Sequence, residues 1–109
     1  MKARTKAEWL DWYAAHGGSK DLELHPDEIV YFHPEHGLLS YLRHDDILEV
    51  HHMFGDGKYW AGVAKGLMKY YKLKTLRAFT RRNPEAWQRK YGGHVRGWYM
   101  ECDIDEIKV

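Results

Sequence analysis

The sequence has few residues that constrain a chain by themselves, with one cysteine and three prolines among 109 residues. A single cysteine excludes an internal disulfide and predicts a reducing compartment, in which Cys102 is a small buried apolar residue. No apolar run approaches the about 18 residues that cross a membrane, and the polar N-terminus lacks the apolar core of a secretory signal. We therefore expect a cytoplasmic protein with no membrane partner.

An excess of charge of one sign is also absent, since 17 Lys and Arg against 16 Asp and Glu give a formal net charge of +1. Affinity for nucleic acid depends on many phosphate contacts, so a nucleic-acid partner is not expected. Aromatic residues are abundant, at 15%, and they bury enough area for one domain of this length. The basic residues concentrate in one segment, which could hold a phosphate group, nucleic acid or the acidic patch of a protein, or form a plain solvated face: Arg77, Arg81, Arg82, Arg89, Lys90 and Arg96.

The first predicted element is a helix in "RTKAEWLDWYAAHGG". Thr5 and Glu8 have the spacing of a capping box, in which each side chain binds a free amide at the helix start. Gly17 and Gly18 are predicted to end the helix, because glycine tolerates the left-handed cap conformation.

Strands and helices then alternate in a pattern typical of an α/β (α+β) protein. "EIVYFHP", "LLSYLRH" and "DILEVHHMF" predict an antiparallel meander across residues 28 to 54. Apolar residues at spacings of three and four predict a helix over residues 58 to 72. "TLRAFT" predicts a strand parallel to the third, "NPEAWQRKY" a short helix and "VRGWYMECDI" a last strand. We expect one domain with a mixed sheet, a meander followed by a β-α-β crossover, and helices on both faces.

The loop "GDGK" precedes the longest predicted helix. A helix start exposes free amides and the positive end of the helix dipole, so it can hold a phosphate group. Gly55 and Gly57 would let the backbone approach a pyrophosphate closely, and Lys58 would add a positive charge. The same residues are equally typical of a plain tight turn, and the residues alone leave both interpretations open.

The order of elements from about residue 28 to residue 104 resembles the GNAT superfamily of N-acetyltransferases. The resemblance implies that acetyl-CoA, as co-substrate, enters a V-shaped gap where the third strand splays from its neighbour. It implies that the strand from Val50 to Met53 pairs with the pantetheine arm, an addition of a ligand to an exposed strand edge. Asn83 matches the family asparagine before the short helix. The implied pyrophosphate cradle consists of Gly55, Asp56, Gly57, Lys58, Tyr59, Trp60 and Gly62.

The sequence also departs from the family pattern. Gly55 and Gly57 come earlier than the family spacing, and Gly62 alone stands for its last small residue. The family tyrosine, which protonates the departing thiolate, falls near Lys90, so that Tyr91 is one position away. The first strand of the family fold has no counterpart. These features are most similar to the small, diverged GNAT-like proteins encoded by tailed bacteriophages, which implies the host cytoplasm or a virion as the location.

Acetyl transfer to an amine requires a base for the attacking ammonium and an acid for the leaving thiolate. His51, His52 and Glu49 lie on the strand beside the predicted gap, and Tyr91 is the candidate acid. Strict alternation along a strand predicts that His51 and His52 face opposite sides, so that at most one points into the gap. Packed or solvated side chains are the alternative interpretation of each.

Two function classes follow from these features. One is an acyl-CoA-binding protein, and a possible enzyme, that acetylates a protein lysine, an N-terminus or a small amine. The other is a non-catalytic virion component or host-enzyme inhibitor, which uses the same fold to bind a protein partner. "HPEH" together with His44 offers metal-ligating side chains, but no zinc spacing completes the set.

Overall fold

The computed structural model describes residues 3–16, 22–79, 84–96 and 99–108. Within these ranges the strands form one mixed sheet in the order β1-β2-β3-β4-β6-β5. None of the described helices is long and apolar enough to cross a bilayer. The elements are α1 (Lys6–Ala15), β1 (Ile29–His33), β2 (Gly37–His44), β3 (Ile47–Gly55), α2 (Gly57–Tyr71), β4 (Thr75–Phe79), α3 (Pro84–Tyr91), β5 (His94–Arg96), β6 (Tyr99–Asp103) and a 3-10 helix (Ile104–Glu106).

The predicted meander and crossover are confirmed. β1, β2 and β3 pair antiparallel in sequence, and α2 then returns the chain so that β4 pairs parallel with β3. β6 pairs antiparallel with β4 on its other side. Helices α1 and α2 pack on opposite faces of this sheet. The fold class is therefore mixed α/β, as the sequence predicts.

The prediction of one continuous last strand over residues 95 to 104 is wrong. β5 and β6 are separate strands that pair antiparallel, with Arg96 opposite Tyr99, and Ile104 begins a 3-10 helix. The two residues between the strands lie outside the described ranges. Gly97 could have indicated two strands instead of one, because a glycine inside an apolar run often marks a break in a strand.

Helix α1 is attached to the sheet by a tryptophan. The capping box predicted from Thr5 and Glu8 is present, and it fixes where the helix begins. One turn later Trp9 is fully buried against Leu38 and Phe54, and its indole Nε1 donates to the carbonyl of Pro34 at 2.7 Å. The predicted stop at Gly17 and Gly18 lies outside the described residues.

Helix α2 covers the other face of the sheet and carries the larger part of the core. Trp60, Ala64 and Met68 form its buried stripe at helical spacing. The helix ends where Lys72 adopts φ of 56°, a left-handed C-cap. The predicted helix over residues 58 to 72 is thus confirmed to within one residue at each end.

Gly55 lies where β2 and β3 approach each other most closely. Its φ is +99°, and a Cβ built on it would lie 2.3 Å from the carbonyl oxygen of His36 and 2.9 Å from the Cα of Gly37. Only a residue without a side chain fits such a contact between two backbones. Gly55 is therefore required by the β2–β3 pairing itself.

Candidate functional site

Strands β3 and β4 pair over only part of their length. The parallel register joins Ile47–Val50 to Thr75–Ala78, whereas β3 continues to Gly55. Among the described residues, β3 positions 51–55 have no strand partner on the β4 side; we call this segment the open edge. An unpaired strand edge presents backbone amides and carbonyls that can pair with another extended chain.

An apolar cavity lies at the inner end of the open edge, between the sheet and α2. Its empty space is about 340 Å³ when the adjoining open solvent is included, and the enclosed part has room for about one water-sized group. Val50 and Ala78, the last β3–β4 pair, both contribute to its wall. Its lining is apolar throughout: Val50, Met53, Ala61, Ala64, Leu76, Ala78, Met100, Cys102 and Ile107.

Cys102 contributes an uncharged wall to this cavity. Burial, with smaller effects from Glu106 and Asp103, raises the pKa of the thiol to about 11. A thiol with so high a pKa stays protonated at neutral pH and is a poor nucleophile. Cys102 therefore packs in the core as a small apolar residue, as the sequence predicts.

A β-bulge corrects the prediction that His51 and His52 face opposite sides. The β2–β3 register places Ser40 opposite His52 and Tyr41 opposite Val50, so His51 is an extra residue on β3. An extra residue resets the alternation of the strand. Glu49 lies beside His51, and His52 lies beside α1, so all three are on the face away from α2. The prediction was wrong because single-strand alternation assumes an uninterrupted ladder.

His51 lies between two carboxylates on that face. Its Nδ1 is 3.0 Å from Oε1 of Glu28, and its Nε2 is 3.4 Å from Oε2 of Glu49. Its ring also meets Phe79 edge-on, with the centroids 5.8 Å apart, at the described end of β4. A neutral imidazole has one N–H and donates to one carboxylate at a time, whereas a protonated ring donates to both.

The neighbouring strands extend this group of charges. His44 Nε2 lies 2.6 Å from Oε1 of Glu49, and Arg77 lies 3.6 Å from the same oxygen. Arg77 also pairs with Glu101 of β6 at 3.0 Å. We call these side chains the carboxylate cluster: Glu28, His44, Glu49, His51, Arg77 and Glu101.

Glu28 is the most enclosed member of the carboxylate cluster. Its side chain is 0% exposed, and its Oε1 also accepts the amide of His25 at 3.1 Å. Its Oε2 is buried and meets the hydrogen-bond distance criterion with no described residue, although the Ser40 hydroxyl is close enough to help lower the pKa of the carboxyl. Burial alone would raise the pKa of this carboxyl, but its hydrogen bonds and the adjacent His51 outweigh burial and lower the pKa. Glu28 is therefore ionised at neutral pH.

His52 lies outside the carboxylate cluster. Its Nδ1 is 3.5 Å from the hydroxyl of Tyr13, and its Nε2 is 3.4 Å from the carbonyl of Glu23. Tyr13 stacks on Phe54 with the ring centroids 4.2 Å apart. His52 is therefore part of the contact between α1 and the sheet, and His51 is the histidine of this pair that contacts the carboxylate cluster.

The start of α2 already carries a negative charge. Asp56 is the N-cap, and its Oδ1 accepts the amide of Tyr59 at 3.2 Å. Its Oδ2 lies 3.0 Å from Nδ1 of His36, whose ring stacks on Tyr59 with the centroids 3.8 Å apart. The Tyr59 amide first, and His36 next, lower the pKa of Asp56. A pyrophosphate placed at this helix start would meet the Asp56 carboxylate.

The other residues of the implied cradle have separate positions. Gly57 and Lys58 form the first turn of α2, and Gly62 lies further along the helix. Trp60 is buried, and its indole Nε1 donates to the carbonyl of His36 at 2.7 Å. Asn83 lies outside the described residues, as does the side chain of Tyr91 at the end of α3.

The histidines of "HPEH" do not meet His44. His33 and His36 flank the β1–β2 turn, whereas His44 is the last residue of the eight-residue strand β2. A strand of this length separates its ends by about 20 Å. The described part of the chain contains no group of three or more His, Cys, Asp or Glu side chains that could hold a metal ion.

The pKa of His44 should report on its hydrogen bond to Glu49 within the carboxylate cluster. The hydrogen bond to Glu49 raises the pKa of His44. Burial would raise the pKa of Glu49, but the hydrogen bonds that it accepts from His44 and His51 outweigh burial and lower it. The stability that His44 contributes is present below its ordinary pKa of about 6.5 and is lost as the pH rises through its folded pKa. The contribution of Glu49 is lost as the pH falls through its own lowered pKa.

We expect Glu49→Gln to lower the pKa of His44 in an NMR titration, because the amide cannot stabilise the imidazolium as a carboxylate does. Glu101→Gln is the matched control, since it removes a carboxylate from the same face without contacting His44. An equal pKa for His44 in wild type and Glu49→Gln contradicts the pairing.

Three features thus meet around the last β3–β4 pair. The apolar cavity lies on the α2 side, the carboxylate cluster lies on the opposite face, and the open edge leads from Gly55 to Val50 between them. Comparison of the chain with family models, with curated proteins and with solved structures found no match.

Proposed function

We propose that the protein binds an acyl-CoA thioester along the open edge and transfers the acyl group to an amine, in the manner of a GNAT-like N-acetyltransferase. The observation that carries the proposal is that, within the described ranges, the β3–β4 pairing ends at Val50 and Ala78. The pantetheine arm of CoA is extended and contains amide groups, so it can add to β3 as a strand does. An arm lying from Gly55 towards Val50 brings its thioester to the last strand pair.

The carboxylate cluster supplies the proton chemistry of this proposal. A neutral His51 that donates from Nδ1 to Glu28 leaves Nε2 to accept a proton from the ammonium of the acceptor. The amine nitrogen then attacks the thioester carbon, a C–N bond forms, and the C–S bond breaks. The proton that the nitrogen sheds on bond formation goes to the CoA thiolate, with Tyr91 as the predicted donor to the sulfur.

The charge of this face favours a cationic acceptor. The carboxylate cluster contains three carboxylates, Glu28, Glu49 and Glu101, and one arginine, Arg77. A surface with this excess of negative charge attracts a protonated amine and raises its local concentration. A protein lysine, an N-terminus and a small amine all present that group.

A second candidate function is a non-catalytic scaffold that binds a protein, as a phage virion component or an inhibitor of a host enzyme. Asp56 favours this candidate, because its carboxylate occupies the helix start at which a pyrophosphate would bind, and like charges repel. In this case a strand of the partner protein would pair with the open edge.

Acetyl-CoA should raise the melting temperature, because a ligand that binds only the native state stabilises it. Acetylpantetheine, which lacks the pyrophosphate, should also do so. Asp56→Asn should strengthen acetyl-CoA binding about fivefold, since removing a like charge at this half-exposed position is worth about 1 kcal/mol. Asparagine is an equally good N-cap, so the helix start is preserved. Calorimetric titration measures both affinities.

Asp103→Asn is the matched control, because Asp103 is also an N-cap but lies at the paired end of the sheet, opposite Thr75. It should leave the affinity for acetyl-CoA unchanged. No thermal shift with millimolar acetyl-CoA or acetylpantetheine, in wild type or Asp56→Asn, would overturn the enzyme proposal and favour the scaffold.

A further inference from the structure

The apolar cavity and the carboxylate cluster lie on opposite sides of the same strand pair. Val50 and Ala78 are the last β3–β4 partners and also part of the cavity wall, while Glu49 and Arg77, the pair before them, face the other way. A ligand that follows the open edge to its inner end therefore reaches two different environments. The reacting carbon of such a ligand can face the carboxylate cluster only if the tail of the ligand turns to the other side of the strand pair, towards α2 and the cavity.

The cavity selects the chemistry of that tail. Among the described residues its walls consist of apolar side chains and the Cys102 thiol, which is held protonated, and they offer no charged side chain. A carboxylate placed there would lose its hydration without gaining a partner. An alkyl group would gain by leaving water, with each added methylene worth about fourfold in affinity.

The cavity also limits the length of the tail. Space exists because alanines occupy positions 61, 64 and 78, where larger side chains would fill the layer between α2 and the sheet. Leu76, Met100 and Ile107 also line it. The empty space of about 340 Å³ includes open solvent, and the enclosed part has room for only about one or two carbons.

We propose that this cavity binds the tail of the transferred acyl group, and that the preferred donor carries a short, uncharged aliphatic acyl chain such as butyryl. The inference rests on the proposed acyl transfer and adds the identity of the group transferred. Acids with a second carboxylate at the tail, such as succinyl, are excluded as donors by the same walls.

Calorimetric titration of the wild-type chain with acetyl-CoA, butyryl-CoA and succinyl-CoA tests this selection. Butyryl-CoA should bind about fifteenfold more tightly than acetyl-CoA, because its tail buries two further methylenes. Succinyl-CoA, which has the same chain length but a terminal carboxylate, should bind more weakly than butyryl-CoA by at least the same factor.

Two substitutions alter the cavity in opposite directions. Ala78→Val adds volume at the sheet wall with a residue suited to a strand, and it should abolish the preference for butyryl over acetyl. Met53→Ala enlarges the cavity and should move the preference to hexanoyl-CoA. Met68→Ala is the matched control, because Met68 is buried in the same core but does not line the cavity, so it should leave the preference unchanged.

The outcomes separate this inference from the function on which it rests. Equal affinities for acetyl-, butyryl- and succinyl-CoA, unchanged in Met53→Ala, would overturn the assignment of the cavity while leaving acyl-CoA binding intact. Binding of no thioester by any variant would overturn the proposed function and the inference together. If Ala78→Val fails to fold, Met53→Ala and the butyryl–succinyl comparison still decide the question.

Discussion

Gly55→Ala is expected to destabilise the protein by about 3 kcal/mol or more. A non-glycine residue at a φ of +99° is strained by about 1 to 3 kcal/mol. The added Cβ would also lie 2.3 Å from the carbonyl oxygen of His36, a backbone atom that cannot rotate away. Relief requires β2 and β3 to separate at their Gly37–Gly55 pair, which would weaken the hairpin that holds both helices. Urea unfolding followed by circular dichroism measures the loss.

Gly66→Ala is the matched control for this prediction. Gly66 is exposed in the middle of α2, and a Cβ built on it meets nothing within 4 Å. Alanine is favoured over glycine in a helix by about 1 kcal/mol, which should raise the melting temperature by about 4 to 8 °C. Equal effects of the two substitutions would contradict the close approach of β2 and β3 at Gly55.

Trp9→Ala is expected to destabilise the protein by about 3 to 5 kcal/mol, the range for truncating a fully buried aromatic side chain. This is a large part of the about 5 to 15 kcal/mol that stabilises a small domain. Trp9 is 0% exposed and is the buried residue of α1, so its loss removes the main apolar contact of the helix with the sheet. The expected result is a lower urea midpoint together with a loss of helical signal.

Trp9→Phe separates the apolar contact from the hydrogen bond. Phenylalanine keeps most of the contact with Leu38 and Phe54 but loses the donor to the carbonyl of Pro34, so a smaller loss of about 1 to 2 kcal/mol is expected. Trp12→Ala controls for truncating a tryptophan of the same helix that is only partly buried. A loss in Trp12→Ala as large as that in Trp9→Ala contradicts the central role of Trp9.

The parts of the fold predicted correctly depend on short-range signals. The capping box of Thr5 and Glu8 fixed one helix, and the apolar spacing from Trp60 to Met68 fixed the longest one. Parallel pairing of β3 and β4 followed from the helix between them, because a crossover places consecutive strands side by side in the same direction. Each of these inferences uses residues close together in the chain.

The carboxylate cluster could not be predicted in the same way. Glu28 precedes β1, Glu49 belongs to β3 and Glu101 to β6, and only the pairing of five strands brings them to one face. The bulge at His51 depends on the register of β2 against β3, which no pattern within β3 reveals. Asp56 was predicted as part of a phosphate cradle, whereas its role as an N-cap depends on the exact residue at which α2 begins.

The turn between β1 and β2 joins all three layers of the molecule. The carbonyl of Pro34 accepts hydrogen bonds from the Trp9 indole and the Arg4 amide on the α1 side, and the carbonyl of His36 accepts from the Trp60 indole and the Asp56 amide on the α2 side. Surface turns ordinarily tolerate added residues. Lengthening this one would pull two acceptors out of alignment with helices on opposite sides of the sheet.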